Sequence, residues 1–276
     1  MHGKALKISS TLFLTTMSAI KFFSTNGHPE RVDFKAALLM GQAPDKGLYL
    51  PEEIPQIPRS RVLQFSKMSY PQIAYEVIKP YLGDLVSDSD LRAMLEDAYN
   101  YTVPVESVYD EKYVMRLDRG PTCSFKDFAA RAMGRLVQYF LKQEGRSILI
   151  LTATSGDTGS AVAHAFYGLD NVMVVVLFPE KEVTERQRRQ MTTLGKNIFP
   201  LAVKGKFDDC QALVKQAFVD PDLSALSLSS ANSINIGRLL PQAVYYFYAF
   251  SRVAARGEEI VFSVPSGNFG DLMGGL

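Results

Sequence analysis

The sequence has no tryptophan, only two cysteines and only three histidines, which removes several common kinds of site from consideration. Cys123 and Cys210 lie far apart in the chain, so they indicate neither a disulfide framework nor a thiolate metal site. His2, His28 and His164 are scattered as well, and we expect no metal centre. A chain this poor in cysteine is typical of the reducing cytoplasm, where we expect it to reside.

The chain also lacks a charge excess of either sign and a long apolar run. Thirty basic and twenty-nine acidic residues give a formal net charge of +1, which argues against a nucleic-acid or membrane-surface partner. No stretch approaches the roughly 18 apolar residues that cross a bilayer. The 47% apolar and 21% charged content is typical of a globular protein, and 276 residues suffice for one large domain or two ordinary ones.

Residues 1–19 resemble a secretory signal only superficially. Lys4 and Lys7 precede a weakly apolar stretch, but serines and threonines dilute it and no small-residue cleavage site follows. We expect a disordered extension there. Residues 20–103 predict a small, mainly helical N-terminal domain, because apolar residues recur at helical spacing in three segments. These segments are 32–40, 71–78 and 88–98.

From residue 104 onward, predicted strands alternate with predicted helices. The strands are expected at 113–117, 147–154, 172–178, 197–203 and 260–264. The helices are expected at 125–142, 158–167, 184–194, 207–219 and 236–256. This alternation implies right-handed βαβ crossovers, so the fold class is α/β, with a twisted parallel sheet and flanking helices over residues 104–276. A new loop and helix begin at Gly267, so we expect this region to be incomplete and its C-terminal part to be missing.

The first segment that could carry chemistry is GPTCSFKDF, residues 120–128. It places Lys126 in the first turn of a predicted helix, where the positive end of the helix dipole and burial both disfavour the charged ammonium. A neutral amine is what a lysine needs in order to form a Schiff base. Taken alone, the segment is also compatible with an ordinary solvated lysine beside Asp127.

The second segment is TATSGDTGSAVAHAF, residues 152–166, which joins a buried strand to a helix. Backbone N–H groups at such a junction can face an anion, and hydroxyl side chains add donors. The junction could instead be no more than a capped helix with turn glycines. A nucleotide site is a third interpretation, with Glu180 near the ribose, although the loop lacks the spacing of the dinucleotide and P-loop motifs.

The third segment is VPSGNFGDLMGG, residues 264–275, again a strand, a glycine-rich loop and a helix start. Alone it could be a tight turn at Gly267 and Asn268. Because parallel strands end at one edge of a sheet, the two glycine loops and the lysine are expected to lie together. A reactive lysine beside two anion sites is what an enzyme dependent on pyridoxal phosphate (PLP) requires.

Several motifs resemble those of the threonine synthase family, in the same order along the chain. They are KFFSTNG, GQAPDKGLYLP, GPTCSFKDF, LTATSGDTGSAVAHAF, SANSIN and VPSGNFGD. The resemblance extends from Ile20 to Leu276. It implies the type II fold of PLP enzymes, related to tryptophan synthase beta. It also implies a carbon–oxygen lyase that converts O-phospho-L-homoserine and water into L-threonine and phosphate, working as a monomer or homodimer.

The resemblance also implies roles for particular residues. Lys126 takes the place of the lysine that bonds covalently to PLP. The residues implied to hold the cofactor phosphate are Gly267, Asn268, Phe269, Gly270 and Asp271. Those implied on the substrate side are Thr154, Ser155, Gly156, Asp157, Thr158 and Gly159, with Asn232 and Asn235 as further polar contacts. The candidates for the substrate phosphate are Arg186, Arg188, Arg189 and Arg238, although a solvated helix face explains the first three equally well.

Cys123 departs from the family pattern, in which an aliphatic residue is usual, and we expect a buried, inert thiol there.

Other readings of the whole chain remain open. It could be a serine/threonine dehydratase or a cysteine-forming sulfhydrylase of the same fold. It could also be a non-catalytic relative or fragment that binds PLP or a phosphorylated amino acid.

Overall fold

The structure is a computed structural model that describes residues 20–254, 259–265 and 267–276. The predicted extension, residues 1–19, lies outside the described residues.

The N-terminal part combines four helices with one small antiparallel strand pair. The strands are β1 (Phe22–Ser24) and β2 (Tyr49–Pro51), and the helices are α1 (Phe34–Met40), α2 (Arg59–Val62), α3 (Tyr70–Leu82) and α4 (Asp88–Ala98). The prediction of a mainly helical region is confirmed for residues 20–103. The strand pair was not predicted, because three-residue strands are too short to show an alternating pattern.

Local capping explains where these helices begin. The Asp33 side chain accepts a hydrogen bond from the backbone N–H of Ala36 at the start of α1. Ser69 and Gln72 form a reciprocal capping box at the start of α3. Such side chains satisfy backbone donors that the first helical turn leaves without partners, so each start is fixed by the sequence itself.

The second part begins with a hairpin and continues with a parallel sheet. The hairpin strands are β3 (Val105–Tyr109) and β4 (Lys112–Met115), and the sheet strands are β5 (Ile148–Ala153), β6 (Val172–Pro179), β7 (Ile198–Val203) and β8 (Leu228–Ser229). The sheet order is β7-β6-β5-β8, and every neighbouring pair is parallel. The predicted α/β class with a parallel sheet is thus confirmed. The strand predicted at 113–117 corresponds to β4, but it pairs only within the hairpin.

Helices flank this sheet as the alternation predicted. They are α5 (Lys126–Glu144), α6 (Asp157–Phe166), α7 (Glu185–Thr192), α8 (Phe207–Ala217), α9 (Ile236–Leu239), α10 (Ala243–Val253) and α11 (Gly270–Met273). Within the described ranges, no helix is both long and apolar enough to span a membrane.

The structure corrects two predictions near the end of the chain. The helix predicted at 236–256 is divided into α9, a 3₁₀ turn at Leu240–Gln242 and α10, because Pro241 has no N–H to continue the ladder; residues 255 and 256 lie outside the described ranges. The strand predicted at 260–264 pairs with no described strand, and Val261 is 86% exposed. An apolar run indicates a buried strand only where another strand lies beside it.

One aromatic cluster joins the N-terminal helices to the sheet region. The fully buried Phe128 ring of α5 lies 5.2 Å from Tyr70, 5.1 Å from Tyr101 and 5.5 Å from Tyr245, measured between ring centroids. All three pairs have the edge-to-face geometry that aromatic rings prefer. Phe128 lies two positions after Lys126, so this packing also fixes the start of α5.

We expect Phe128→Ala to lower the free energy of unfolding by roughly 3–5 kcal/mol, because it leaves a cavity among four packed rings. The matched control is Phe199→Ala on the edge strand β7, where the side chain is 44% exposed; its expected loss is below about 1 kcal/mol. Urea unfolding curves give both values. Equal losses in the two variants would contradict the proposed joining role.

Candidate active site

Five segments of the chain meet in one cleft at the carboxyl ends of the parallel strands. The cleft encloses a cavity of about 150 Å³. Its lining residues are Phe125, Lys126, Ala153, Thr154, Ser155, Thr158, Phe207, Gln211, Asn232, Ser233, Ile234, Arg238, Gln242, Asn268, Gly270 and Asp271. The lysine segment and both glycine loops therefore lie together, as the sequence predicted.

A second, larger cavity of about 570 Å³ lies next to the aromatic cluster. It is lined by Ser69, Tyr70, Pro71, Tyr99, Asn100, Tyr101, Thr102, Val103, Pro104 and Tyr248. This lining contains no acidic or basic side chain. The smaller cleft, which contains Lys126, Arg238 and Asp271, is the better candidate for acid–base chemistry.

Lys126 is the first residue of α5, and its side chain is only 21% exposed. Its Nζ lies 4.2 Å from the centre of the Phe125 ring and 4.0 Å from Oδ2 of Asp157. Burial lowers the pKa of Lys126 below its usual value and nearby Arg238 acts in the same direction, while Asp157 and Asp271 act against it. The cleft thus favours the neutral amine, as the sequence predicted.

The neighbouring Asp127 is buried and does not pair with Lys126. Its two carboxylate oxygens accept hydrogen bonds from the backbone N–H and the hydroxyl of Thr122, at 2.8 and 2.7 Å. A Cβ atom at Gly120 would lie 2.5 Å from Oδ2 of Asp127, so only glycine fits at that position. In the same turn Cys123, which has a left-handed φ of 57°, is exposed, and this corrects the expectation of a buried thiol.

The loop between β5 and α6 is held by its own side chain. The hydroxyl oxygen of the buried Thr154 accepts hydrogen bonds from the N–H groups of Gly156 and Gly159, at 2.9 and 2.8 Å. These two N–H groups are therefore already satisfied within the loop. Ser155 and Thr158 are the loop hydroxyls, besides Thr154, that line the cleft.

The two asparagines of SANSIN have different positions. Asn232 lines the cleft, and its amide oxygen accepts a hydrogen bond from the Thr152 hydroxyl. Asn235 is fully buried outside the cleft lining: its amide donates to the carbonyls of Leu38 and Ser230, and its oxygen accepts from the N–H of Gly237. The structure gives Asn235 a role in tying α9 to α1, which corrects its prediction as a substrate contact.

Of the four arginine candidates, only Arg238 lines the cleft. It is 4% exposed, one Nη donates to the carbonyl of Ala231 at 2.6 Å, and its Nε has no partner among the described residues. Burial lowers the pKa of Arg238 to about 10, so the group is still a cation at neutral pH. On the exposed helix α7, Arg188 and Arg189 both pair with Glu185.

The loop before α11 brings part of its predicted set into the cleft. Asn268, Gly270 and Asp271 line it, whereas the Phe269 side chain is 66% exposed and lies outside the lining. The Tyr246 hydroxyl of α10 donates to the backbone carbonyl of Asp271 at 2.8 Å, which anchors the loop. The open space around Gly267 leaves its backbone accessible.

Sequence reasoning did not identify three polar or aromatic residues of the lining. Gln242 lies one turn after Arg238 and donates to its carbonyl at 2.7 Å, a spacing that the sequence already shows. Phe207 and Gln211 lie on the first turns of α8, which begins at the same edge of the sheet. Their position follows from the parallel topology rather than from any motif.

The fold and the cleft lysine define the class, and comparison with known proteins agrees. The chain belongs to the family of pyridoxal-phosphate dependent enzymes, whose model matches residues 106–275. The model described as the threonine synthase N terminus matches residues 21–99.

The relatives are threonine synthases. The chain is 43% identical to the threonine synthase of Haemophilus influenzae, over 90% of this chain and 58% of the relative. It is 41% identical to that of Escherichia coli, over 93% of this chain and 60% of the relative. Among solved structures, PLP-bound threonine synthase from Brucella melitensis aligns with a TM-score of 0.87 at 40% identity, over 93% of this chain and 57% of that one. The yeast threonine synthase aligns with a TM-score of 0.83 at 33% identity, over 92% of this chain and 54% of that one. The chain thus spans less than two thirds of these relatives.

We expect Gly156→Ala to lower the free energy of unfolding by about 3 kcal/mol, because the φ of 140° excludes a side chain and the new Cβ would lie 2.5 Å from Gln187. Gly145→Ala is the matched control: its φ is 60°, but nothing lies within 4 Å of the added atom. Its expected cost is about 1 kcal/mol. Urea unfolding measures both, and a smaller loss at Gly156 than at Gly145 would contradict the tight loop.

Proposed function

We propose that this chain forms the greater part of a threonine synthase, which converts O-phospho-L-homoserine and water into L-threonine and phosphate with PLP as its cofactor. The observation that carries the proposal is the arrangement of the cleft. It places a lysine with a lowered pKa in the same cleft as two glycine loops and a buried guanidinium whose Nε has no partner among the described residues. The relatives named threonine synthase support the same reaction.

The residues of the cleft fit PLP. The amine of Lys126 points into the cleft, where it can bond to the cofactor aldehyde. The cofactor phosphate would bind the 267–271 loop, through the exposed backbone at Gly267, the partly buried backbone at Gly270 and the side chain of Asn268. Asp271 and the backbone of Phe269 complete that loop. When bound, PLP supplies an electron sink for the electron pair left on the amino-acid carbon.

In this proposal Lys126 is the acid and base of the reaction. With PLP and substrate bound, the Lys126 amine would accept a proton from Cα of the substrate and transfer protons at Cβ. Burial lowers the pKa of Lys126, which makes the neutral amine more accessible than in a lysine exposed to water. When Lys126 is protonated, Asp157 at 4.0 Å stabilises the ammonium. The two residues thus let the proton move on and off the lysine.

The substrate carries a carboxylate and a phosphate, and the cleft offers separate groups for anions. We assign the phosphate to Arg238, because this cation is buried and its Nε has no partner among the described residues, so it gains most from a bound dianion. The same charge stabilises the phosphate as it leaves Cγ. For the carboxylate we propose Ser155 and Thr158, with Asn232 as a further donor. Thr154, Gly156 and Gly159 shape the loop around them.

A visible absorption band is expected when the purified chain is mixed with PLP, because a lysine bonded to the cofactor aldehyde absorbs at longer wavelength than free PLP. Lys126→Ala is expected to abolish the band. Lys142→Ala is the matched control, since this exposed lysine lies on the same helix far from the cleft. A band of equal strength in Lys126→Ala would contradict the assignment.

The substrate is tested by incubating the PLP-loaded chain with O-phospho-L-homoserine. The proposal predicts equal amounts of L-threonine and phosphate, both absent with Lys126→Ala. L-threonine is supplied as the substrate in a parallel sample. If the chain formed 2-oxobutyrate from it instead, the chain would be a dehydratase of the same fold. A PLP band without turnover of either compound would favour the non-catalytic alternative.

A further inference from the structure

Helix α7 contacts the loop between β5 and α6 and the turn before Lys126. Nε2 of Gln187 donates to Oδ1 of Asp157 at 2.7 Å, in the loop between β5 and α6. One turn later, Nε2 of Gln190 donates to the carbonyl of Thr122 at 3.3 Å, in the turn before Lys126. Neither glutamine belongs to the cleft lining, so α7 contacts the loops of the site without lining the cavity itself.

Gln187 is held in one orientation by three contacts. Its amide oxygen accepts hydrogen bonds from the N–H and the hydroxyl of Thr184, at 3.0 and 2.9 Å, and the first of these is one half of the capping box of α7. Its backbone carbonyl accepts from the Ser160 hydroxyl at 3.3 Å. Its side chain also packs against Gly156, where any Cβ would collide with it. Since the oxygen is committed to Thr184, the NH₂ group faces Asp157.

This hydrogen bond divides the two oxygens of Asp157 between two partners. Oδ1 accepts from Gln187, and Oδ2 lies 4.0 Å from Nζ of Lys126. The Asp157 side chain is 55% exposed, so without the donor its carboxylate could rotate freely into solvent. The charged groups that reach Lys126 from other elements are Arg238 of α9 and Asp271 of α11, and Asp157 is the stronger of the two acidic neighbours.

We propose that Gln187 is a positioning residue that holds the Asp157 carboxylate toward Lys126 and thereby sets how readily the lysine gains and loses its proton. The inference deepens the proposed function, because it rests on Lys126 being the reactive lysine. In this arrangement Asp157 serves the lysine rather than the substrate. A carboxylate is also a poor contact for a substrate that carries two anionic groups.

The test measures the titration of Lys126 without cofactor, by competitive labelling with trace acetic anhydride from pH 6 to pH 11. Mass spectrometry of the Lys126 peptide gives its labelling rate, with Lys142 as the internal reference. We compare the unchanged chain with Gln187→Met, Asp157→Asn and the double variant. Met keeps the length and helix preference of Gln but cannot donate a hydrogen bond.

Gln187→Met and Asp157→Asn are each expected to lower the midpoint of Lys126 by about half a pH unit, the size of one lost ion pair that is partly exposed to water. The double variant should shift no further than Asp157→Asn alone, because Gln187 acts only through Asp157. Gln187→Ala repeats the test with the best helix former, in case Met packs differently.

Two controls separate positioning from simple support of the helix. Thr184→Ala weakens the start of α7, but the backbone N–H of residue 184 still donates to the amide oxygen of Gln187 and keeps its NH₂ group toward Asp157, so the midpoint should match the unchanged chain. Gln216→Met makes the same replacement on the exposed face of α8 and should also have no effect.

An unchanged midpoint in Gln187→Met and Gln187→Ala overturns the proposal, whether or not Asp157→Asn shifts. An equal shift in Thr184→Ala overturns it as well, because weakening of α7 alone would then explain the change in the midpoint. These results do not depend on PLP. If Lys126 did not bond to PLP, the absorption band would be missing while the titration shifts persisted, so failure of the proposed function is distinguishable.

Discussion

The buried pairing between Asp127 and Thr122 is the constraint on which the site depends. Both carboxylate oxygens of Asp127 are used within the turn that precedes α5, so this charge stays inside the protein. Because adjacent residues point in different directions on a helix, Lys126 faces the cleft when Asp127 faces the turn. Behind them, the ring of Phe128 locks the same helix start into the aromatic cluster. One short segment thus fixes both the direction and the burial of the lysine.

The loops around the lysine are shaped by internal hydrogen bonds. Thr154 uses its hydroxyl to close the 154–159 loop, and Asn235 uses its whole amide to tie α9 to α1. Such fully satisfied buried groups give rigid supports. Arg238 differs, since its buried Nε has no partner among the described residues. Because a hydrogen-bond donor of this buried cation is not satisfied, an anion is expected to bind at Arg238.

Much of this arrangement is predictable from the sequence because it depends on local patterns. The apolar spacing of α5, the continuous apolar run of β5 and the glycine loops predict their own structures and, through the parallel topology, their meeting at one edge. Other features depend on contacts that no local pattern contains. Residues 260–264 have the composition of a strand but no described strand beside them, and Asn235 is polar yet lies outside the cleft lining. The bond between Gln187 and Asp157 likewise joins two helices that are separated in the chain by a whole strand.

The central claim is that Lys126, and no other lysine, is the attachment point of PLP. The most direct measurement is to incubate the chain with PLP, reduce it with borohydride, digest it and locate the added pyridoxyl mass by peptide sequencing in a mass spectrometer. Reduction makes the bond to the lysine permanent, so the modified residue is read directly. The account predicts near-stoichiometric labelling of the peptide that contains Lys126. Labelling spread over exposed lysines such as Lys142 and Lys204, with Lys126 unmodified, would contradict it.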